Sequence, residues 1–467
     1  MRGILAAAGY VPHFRLRHEA IAAVLGGRPT GGQRAVANYD EDSTTMAVAA
    51  ARLALAGGGR PVDALWFATS TPTYLDKTNA TTIHAALRLD RTTMAADVGG
   101  ATRSGIAALL MASRSTSPTL VVAADVRTAL PASADETVVG DGAGALLVGS
   151  SDDGELLAEF LGAASITEEF LDRWRVPGEA RTHQWEERFG ETRYVPMARE
   201  AAKYAMEDAG IDTADGVVVT GMHRRAVASA AKAFGDRVVA DHSTSVGITG
   251  TAHAALLLTD AIETMQPGQT LLVLSLADGA DAVVLRMTDA VADHRPARSV
   301  ASQVVVGDNS LSYADYLSWR GLLDREPPRR PDPARMSASA AARTADWKYG
   351  FVGSQDRETG AVHMPPARVS FAGGAVDDMH PAPMADRLAT VATFTVDRLA
   401  WSPSPPTVFA VLDFDGGGRV ASEVTDVAED DIAIGDRMQM TFRIVNRADG
   451  ITNYFWKARP ADPMEGT

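Results

Sequence analysis

Apolar and polar residues follow a regular alternation over roughly the first 290 residues of the chain. Two segments between apolar runs have the spacing of amphipathic helices, TTMAVAAARLALA (44–56) and YVPMAREAAKYAMEDAG (194–210). Short runs rich in Val, Leu and Ala predict buried strands: ALWFATS (64–70), TLVVAADV (119–126), GALLVGS (144–150), GVVVTGM (216–222), TLLVLSLA (270–277) and DAVVLRM (281–287). Strands that alternate with helices are typical of an α/β layer fold around a buried sheet.

The same succession of blocks occurs twice. ALWFATST (64–71) resembles GVVVTGMH (216–223), and residues 91–113 resemble residues 236–261. The paired strands that follow each block also correspond. A repeat of this length predicts a duplicated domain, with a ligand site at the junction of the two halves.

The pattern changes after residue 290. SYADYLSWRGLL (312–323) predicts an amphipathic helix, and residues 325–345, rich in Pro, Arg, Ala and Ser, have the composition of a linker. The remaining segments predict a small antiparallel barrel: VATFTVDRLAW (391–401), TVFAVLDFD (407–415), RMQMTFRIV (437–445) and NYFWKA (453–458).

The composition excludes several kinds of partner and of catalytic or metal site. A chain of 467 residues predicts two or three domains, and a net charge of −15 argues against a nucleic-acid partner. The chain has no cysteine, which excludes disulfides, thiolate zinc sites and a cysteine nucleophile. We find neither a long apolar run nor a signal-peptide pattern at the N-terminus, so we expect a cytoplasmic protein without membrane association.

One segment has the pattern of a site. MAADVGGATRSGIAALLMAS (94–113) predicts a strand, a glycine-rich turn and a helix, with Thr102 at the tip of the turn. The free N–H groups of a helix N-terminus can stabilise negative charge. Thr102 could equally be a simple N-cap, since threonine is a good one.

Residues 1 to about 290 resemble the thiolase superfamily, in particular hydroxymethylglutaryl-CoA synthase-like proteins. The motifs are YDEDSTTMAVAAARLAL (39–55), DVGGATRSG (97–105), ETVVGDGAGALLVG (136–149) and VGITGTAHAALLL (246–258). Residues 346–467 resemble the zinc-ribbon and OB-fold proteins that accompany such thiolases. There the motifs are WKYGFVGS (347–354), GAVHMPPARV (360–369), TFTVDRLAWSPSPP (393–406) and YFWKARP (454–460).

The resemblance implies the architecture. We expect a duplicated, five-layer αβαβα domain at 1–290, with halves of about 1–150 and 151–290. A helix and linker would follow at 291–345, a degenerate ribbon at 346–376 and an OB-fold barrel at 377–467. The family also dimerises through the strand before the turn, here TTMAADV (92–98), so the resemblance implies a homodimer.

Most of the family's catalytic pattern is replaced. Thr102 stands where the family has its cysteine, and Ile248 where several members have an asparagine. Ser70, or the neighbouring Thr71, stands where the family has a glutamate. His223 matches the family's histidine. In the ribbon, the zinc-binding cysteines correspond to Asp356, Thr359, Ser370 and Gly373, so we expect no metal.

What remains suits enolate chemistry. The Thr102 N–H and His223 would form an oxyanion hole and a proton shuttle, and Tyr74 would act as acid or base on a β-hydroxyl. This implies a cysteine-independent aldol or retro-aldol reaction on an acyl thioester, carried by CoA or by a carrier protein. The residues expected to bind that substrate are Ser104, Arg103, Gly247, Ile248, Arg224 and Arg225.

Two other hypotheses stay open. The chain could be a condensing acyltransferase that uses Thr102 or Ser104 as an unconventional nucleophile. It could also be a non-catalytic scaffold subunit paired with an active thiolase, in which case His223 is a structural residue at a strand end. Under every hypothesis the OB-fold domain, with acidic runs such as DVAEDD (426–431), is expected to bind no nucleic acid.

Overall fold

The computed structural model describes residues 1–27, 31–179, 181–326, 329 and 333–462. The chain divides into two compact units. The first contains Met1–Ala37, Asp42–Thr81 and Asp90–Tyr316, and the second contains Asn38–Glu41, Thr82–Leu89 and Leu317–Thr467. The first unit thus continues beyond the predicted boundary at residue 290, and two short N-terminal segments fold with the C-terminal part.

The described strands, in chain order, are β1 Arg2–Tyr10, β2 Phe14–Arg17, β3 Gln33–Val36, β4 Ala64–Thr69, β5 Met94–Gly99, β6 Thr119–Asp125, β7 Gly142–Ser150, β8 Ala158–Thr167, β9 Arg173–Trp174, β10 His183–Gln184, β11 Gly216–Gly221, β12 Thr270–Leu276, β13 Gly279–Met287, β14 Val352–Asp356, β15 Val362–His363, β16 Met379–Pro383, β17 Ala389–Asp397, β18 Thr407–Phe414, β19 Arg419–Val424, β20 Arg437–Ala448 and β21 Ile451–Pro460. The described α-helices are α1 His18–Leu25, α2 Ser43–Ala54, α3 Ala80–Ala86, α4 Arg103–Arg114, α5 Glu187–Ala209, α6 Arg224–Ala231, α7 His253–Thr264, α8 Val300–Val305, α9 Tyr313–Trp319, α10 Ala338–Arg343 and α11 Ala345–Lys348. In the part of the chain that the structure describes, every helix is too short or too polar to cross a bilayer.

A nine-stranded sheet forms the centre of the first unit. Its order is β11-β12-β13-β8-β1-β7-β6-β4-β5. The halves β5-β4-β6-β7-β1 and β11-β12-β13-β8 join where β1 pairs with β8 at Gly3↔Glu159 and Ile4↔Ala158. A parallel bridge between Val217 and Val238 lies beside β11, as β5 lies beside β4 in the other half. The two halves therefore share one strand order, as the sequence repeat predicts.

The helices form layers on this sheet. α4 and α7 pack against strands of both halves, whereas α2 covers the first half and α5 covers the second. Ile106 and Leu109 of α4 share a buried core with Val121 of β6 and Val283 of β13. Continuous apolar strands such as β6 and β12 are fully buried because helices cover both faces. The predicted duplicated, five-layer thiolase-like fold is confirmed.

The second unit contains a closed five-stranded barrel, β17-β18-β19-β21-β20, and a three-stranded sheet, β15-β14-β16. Phe351, Phe442 and Trp456 pack together in its interior. Four of the barrel strands coincide with the predicted runs. The sequence prediction did not include β19, in which small and polar residues give only a weak alternation.

A group of buried charges, which we call the barrel ion cluster, lies in the second unit. Arg443 contacts Asp40 at 3.0 Å, Glu41 at 3.1 Å and Asp426 at 2.6 Å. Lys457 contacts Asp40 at 3.0 Å and Glu423 at 2.7 Å. Buried charges must be paired and hydrogen-bonded to be tolerated, so this cluster ties the segment Asn38–Glu41 to the barrel strands.

Candidate functional site

The glycine-rich turn brings the N-terminus of α4 to the surface of a cavity. Gly100 has a φ of +106°, and Thr102 precedes the helix with a φ of −61°. The Thr102 side chain makes no capping hydrogen bond. Gly105 allows a close approach of α4 to the turn Gly250–Ala252, because a Cβ there would lie 2.0 Å from the main-chain oxygen of Thr251. The N-terminus of α4 thus lies at the cavity without a side-chain cap from Thr102.

Residues from both halves of the first unit line this cavity, which we call the site cavity and which has a volume of about 100 Å³. Three of the predicted site residues meet there: Thr102, Ser70 and His223. The sequence analysis missed the other charged and aromatic lining residues, which are Arg127, Asp172, Arg173, Trp174, Arg175, Tyr194 and Asp278. Most of the missed residues belong to the segment between β8 and α5, where no periodic pattern was available.

Ser70 is held by an ion pair. Its hydroxyl donates to Asp125 at 2.8 Å and accepts from the Arg127 guanidinium at 2.7 Å. Asp125 is fully buried and also accepts the main-chain N–H groups of Ser70 at 2.7 Å and Thr251 at 2.8 Å. A glutamate at position 70 could act as a base, but this serine cannot. It instead fixes the position of Arg127 at the cavity wall.

His223 is buried, and both of its ring nitrogens bond to main chain. Nε2–H donates to the oxygen of Glu187 at 2.8 Å, and Nδ1 accepts the N–H of Ala226 at 3.1 Å. These bonds select the neutral Nε2–H tautomer, because the Ala226 N–H needs an unprotonated Nδ1. His223 therefore caps α6 and anchors the first turn of α5. It can act as a proton shuttle only if one of these bonds breaks.

Asp172 has the properties of an acid or base. It is only 2% exposed, and its Oδ1 has no hydrogen-bond partner among the described residues. Burial raises the pKa of Asp172, although the positive charge of the neighbouring Arg173 opposes this effect. The Tyr194 hydroxyl lies near Asp172, and burial together with this carboxylate raises the pKa of Tyr194. A carboxyl with a raised pKa in a cavity is a common feature of catalytic sites.

Tyr74, the predicted acid or base, does not line the site cavity. Its main-chain N–H donates to Asn79 at 3.0 Å, and Lys77 lies over its ring. Asn79 in turn is fixed by Asp97 of β5. Tyr74 therefore belongs to a loop organised around Asn79.

The predicted substrate-binding residues also lie outside the cavity lining. Ser104 donates to the main-chain oxygen of Gly99 at 3.2 Å, and Arg103 pairs with Asp281 at 2.8 Å. Arg225 pairs with Glu191 at 2.9 Å, and Arg224 is exposed. The Arg103 and Arg225 contacts stabilise the fold. The positive charges at the cavity therefore come from other residues.

The second-half turn has a structural explanation. Gly247 has a φ of +86°, and a Cβ there would lie 2.7 Å from the main chain of Val139 and Gly140. Ile248 is buried and, with Thr102, lines a small neighbouring cavity of about 10 Å³. A space of this size holds about one water molecule, so Ile248 lines a space too small for an acyl group.

The four ribbon positions do come together. Asp356 accepts the N–H groups of Glu358 at 2.9 Å and Thr359 at 3.2 Å, and a hydrogen bond from Ser370 is the main reason why the pKa of Asp356 is lowered. A Cβ at Gly373 would be 3.7 Å from Asp356. One carboxylate, two hydroxyls and a glycine do not fit a tetrahedral zinc ion, which needs four Cys, His or carboxylate ligands. The expected absence of metal stays a prediction.

Comparisons with known proteins give the same fold. Residues 383–443 match the family model described as "ChsH2, C-terminal OB-fold domain", which confirms the OB-fold prediction. The chain is 29% identical over 338 residues to a hydroxymethylglutaryl-CoA synthase of Thermococcus sibiricus, covering 68% of this chain and 96% of that protein. It is 26% identical over 347 residues to the enzyme of the same name from Picrophilus torridus, covering 69% and 98%. A solved structure of MvaS in complex with 3-hydroxy-3-methylglutaryl coenzyme A matches with a TM-score of 0.57 and 23% identity, covering 71% of this chain and 94% of that one.

Proposed function

We propose that this thiolase-fold chain is an enzyme that makes or breaks a C–C bond beside an acyl-CoA thioester by aldol chemistry, without an acyl-enzyme intermediate. The observation that carries the proposal is the meeting of a helix N-terminus at Thr102 with the buried carboxyl of Asp172 in one cavity. The similarity to hydroxymethylglutaryl-CoA synthases supports an acyl-CoA substrate. The absence of cysteine from the chain removes the usual nucleophile of acyl transfer.

The N-terminus of α4 would stabilise the enolate. Negative charge develops on the thioester oxygen when the α-carbon becomes a carbanion, and preorganised N–H donors act on that charge. The Thr102 N–H lies at the positive end of the α4 dipole. Its contribution does not depend on the side chain at position 102, which explains how a site of this kind can work with threonine.

Asp172 would carry the proton, and Tyr194 would orient it. In the cleavage direction, the Asp172 carboxylate takes the proton of the β-hydroxyl and the Cα–Cβ bond breaks. The bonding electron pair passes into the thioester enolate, and the β-carbon leaves as a carbonyl. Asp172 then returns the same proton to the α-carbon, so the cycle balances, and condensation is its reverse. The raised pKa of Asp172 strengthens this carboxylate as a base for the β-hydroxyl proton.

The contacts favour this mechanism over acyl transfer. Thr102 has no hydrogen-bonded base among the described residues, and Ser104 bonds to main chain away from the cavity. A hydroxyl nucleophile needs such a base. His223 would position α5 and α6 around the cavity and take no proton.

The test is exchange of the α-protons of acetyl-CoA and propionyl-CoA in deuterated water, followed by mass spectrometry. This reaction needs only enolate formation, so it does not depend on knowing the carbonyl co-substrate. We expect exchange by the wild type and a loss on the order of 10²–10⁴-fold in Asp172→Asn. Glu186→Gln, an exposed carboxylate at the start of α5, is the matched control and should exchange normally.

Other outcomes point elsewhere. If Asp172→Asn exchanged the α-protons fully and a folded His223→Asn exchanged none, the proton carrier would be His223 and not Asp172. A covalent adduct on Thr102 after incubation with acyl-CoA would favour the acyltransferase. No exchange and no binding of acyl-CoA by the wild type would favour a non-catalytic scaffold.

We also propose that the first unit forms a homodimer through β5. This strand is at the edge of the nine-stranded sheet, and its residues are exposed or half-buried, Met94 being 56% exposed. An unpaired, apolar edge strand is a liability unless another strand covers it. Light scattering that gives a monomer at micromolar concentration would contradict this.

A further inference from the structure

The site cavity is lined by three guanidinium groups, those of Arg127, Arg173 and Arg175. Each of them is held by a residue other than Asp172. Arg173 contacts Asp135 through two bonds, of 2.8 and 2.9 Å, and the other two arginines bond to Ser70. Among the ion pairs of the described residues, none includes Asp172, whose Oδ1 also has no hydrogen-bond partner there. The carboxyl that we propose as the proton carrier is thus kept apart from the cations around it.

Asp135 holds the side chain of Arg173 in one direction. Both carboxylate oxygens of Asp135 accept bonds from two different nitrogens of the guanidinium, and such a bidentate contact fixes its plane. Gln184 accepts a further bond from Arg173 at 3.1 Å. Asp135 lies in a short 3₁₀-helix, Ala134–Thr137, and both side chains of the pair are mostly buried. Arg173 therefore cannot turn toward Asp172 without breaking these contacts.

The charge of Arg173 reaches Asp172, its neighbour in the chain. Burial raises the pKa of Asp172, the charge of Arg173 lowers it, and the charge of Asp135 raises it. A cation that comes within about 4–6 Å of a carboxylate can lower its pKa by about 1 to 3. A carboxylate paired in this way would be a weaker base and would be occupied by its partner. The direction in which Arg173 points therefore matters for the proposed reaction.

The other titratable groups that face Asp172 come from several elements of the first unit, and they are Arg127, Arg175, Tyr194, His223 and Asp278. Burial raises the pKa of Tyr194, and main-chain bonds select the neutral form of His223, so neither group adds a charge. Burial also raises the pKa of Asp278, which favours its neutral form. The charge beside Asp172 is therefore set mainly by Arg173 and by the carboxylate that holds it.

We propose that Asp135 is a positioning residue of the site, which holds the Arg173 guanidinium so that the Asp172 carboxyl stays free of an ion pair and available to the substrate. The inference rests on the proposed function, in which Asp172 moves the proton. Asp135 itself is outside the cavity lining and acts only through Arg173. It belongs to the first half of the duplicated domain, whereas Arg173 and Asp172 belong to the second. The site would thus depend on a contact between the halves that no substrate group touches.

The test measures the titration of Asp172 by NMR, in protein labelled with ¹³C at the aspartate carboxyl groups. The signal is identified by its absence from Asp172→Asn, and the measurement needs neither substrate nor turnover. We expect a wild-type midpoint above 3.8, the ordinary pKa of an aspartate. Asp135→Asn should lower the midpoint by about one pH unit or more, because Arg173 is released toward Asp172. Asp135→Glu keeps the charge and should restore most of this shift, and Glu186→Gln is the exposed control that should leave the midpoint unchanged.

Arg173→Gln tests the sign of the effect. Removal of the cation should raise the midpoint of Asp172, in the direction opposite to Asp135→Asn. If the pair only stabilised the segment before α5, both variants would expose Asp172 to water and lower its midpoint. Opposite shifts therefore separate positioning from a structural role.

Several results would overturn the proposal. A wild-type midpoint at or below 3.8 would do so without any variant, because Arg173 would then already act fully on Asp172. Equal midpoints in wild type and Asp135→Asn, or a fall in both Asp135→Asn and Arg173→Gln, would also do so. The α-proton exchange of the same proteins is measured in parallel. Opposite shifts without exchange by the wild type would support the role of Asp135 and contradict the proposed reaction, whereas exchange without shifts would contradict only the role of Asp135.

Discussion

At the scale of single residues, the proton carrier that we propose differs from the one that the motifs suggested. His223 is at the predicted position, but main-chain bonds occupy both of its nitrogens. Asp172 has an unpartnered, buried oxygen in the same cavity. In the proposed function, the turn acts through its main chain and Asp172 replaces His223 as the proton carrier.

Two substitutions at Thr102 distinguish the contribution of its main-chain N–H to the reaction from that of its side chain. Thr102→Ala keeps the N–H, so we expect α-proton exchange within about threefold of wild type. Thr102→Pro suits the φ of −61° but removes the N–H, and losing one oxyanion donor costs about 3–4 kcal/mol, or 10²–10³-fold in rate. Circular dichroism would check the fold of both variants. A collapse of Thr102→Ala would contradict the main-chain role.

The raised pKa of the Glu263 carboxyl should make the stability of the chain depend on pH. Burial raises its pKa from 4.5 to about 7, although it accepts the N–H of Val300 at 2.8 Å. The folded chain therefore binds more protons than the unfolded chain between about pH 4.5 and 7, and this contribution to stability is lost as the pH rises through 7. Glu263→Gln should raise the free energy of unfolding at pH 8 by up to about 3 kcal/mol and change it little at pH 4.5.

The measurement for Glu263 is urea unfolding at both pH values. Glu207→Gln, an exposed carboxylate on α5, is the control and should show no pH-dependent difference from wild type. An equal gain for Glu263→Gln at both pH values would mean that ionisation of Glu263 is not the cause.

At the scale of elements, the position of α4 depends on close backbone contact. Gly105→Ala should destabilise the chain by about 1–3 kcal/mol, because its Cβ would lie 2.0 Å from the oxygen of Thr251. Helix propensity alone would favour alanine by up to about 1 kcal/mol, so the sign of the change is informative. Ser113→Ala on the same helix is the control. Urea unfolding that shows a gain for Gly105→Ala would contradict the close packing.

The elements themselves could be predicted well from the sequence, and the site only in part. The runs at 64–70, 119–126 and 270–277 match β4, β6 and β12 within one residue, because buried parallel strands are continuous apolar segments. The segment before α5 has no such period, so neither Asp172 nor Arg175 could be placed in the cavity. Their positions in the cavity depend on tertiary contacts, such as that of Arg175 with Ser70, that no local pattern records.

At the scale of the whole molecule, the barrel ion cluster should be a main support of the second unit. Arg443→Met leaves Asp40, Glu41 and Asp426 without their shared cation, and breaking a buried pair costs about 3–5 kcal/mol. Arg368→Gln removes an exposed, solvent-screened pair with Asp377 and should cost far less. Urea unfolding of the full chain compares them. Equal losses of unfolding free energy from the two substitutions would mean that burial does not increase the contribution of the ion pairs in the cluster.

The barrel ion cluster also has a consequence for biosynthesis. Asp40 and Arg443 are 403 residues apart in the chain. At a synthesis rate of about 5–20 residues per second, the ribosome makes the carboxylate about 20–80 s before its cation. During that interval the acidic segment at 38–41 has no counter-charge from the barrel strands and must stay hydrated. The second unit can therefore be completed only late in synthesis. A chain truncated before Arg443 would lack the cation that pairs with Asp40.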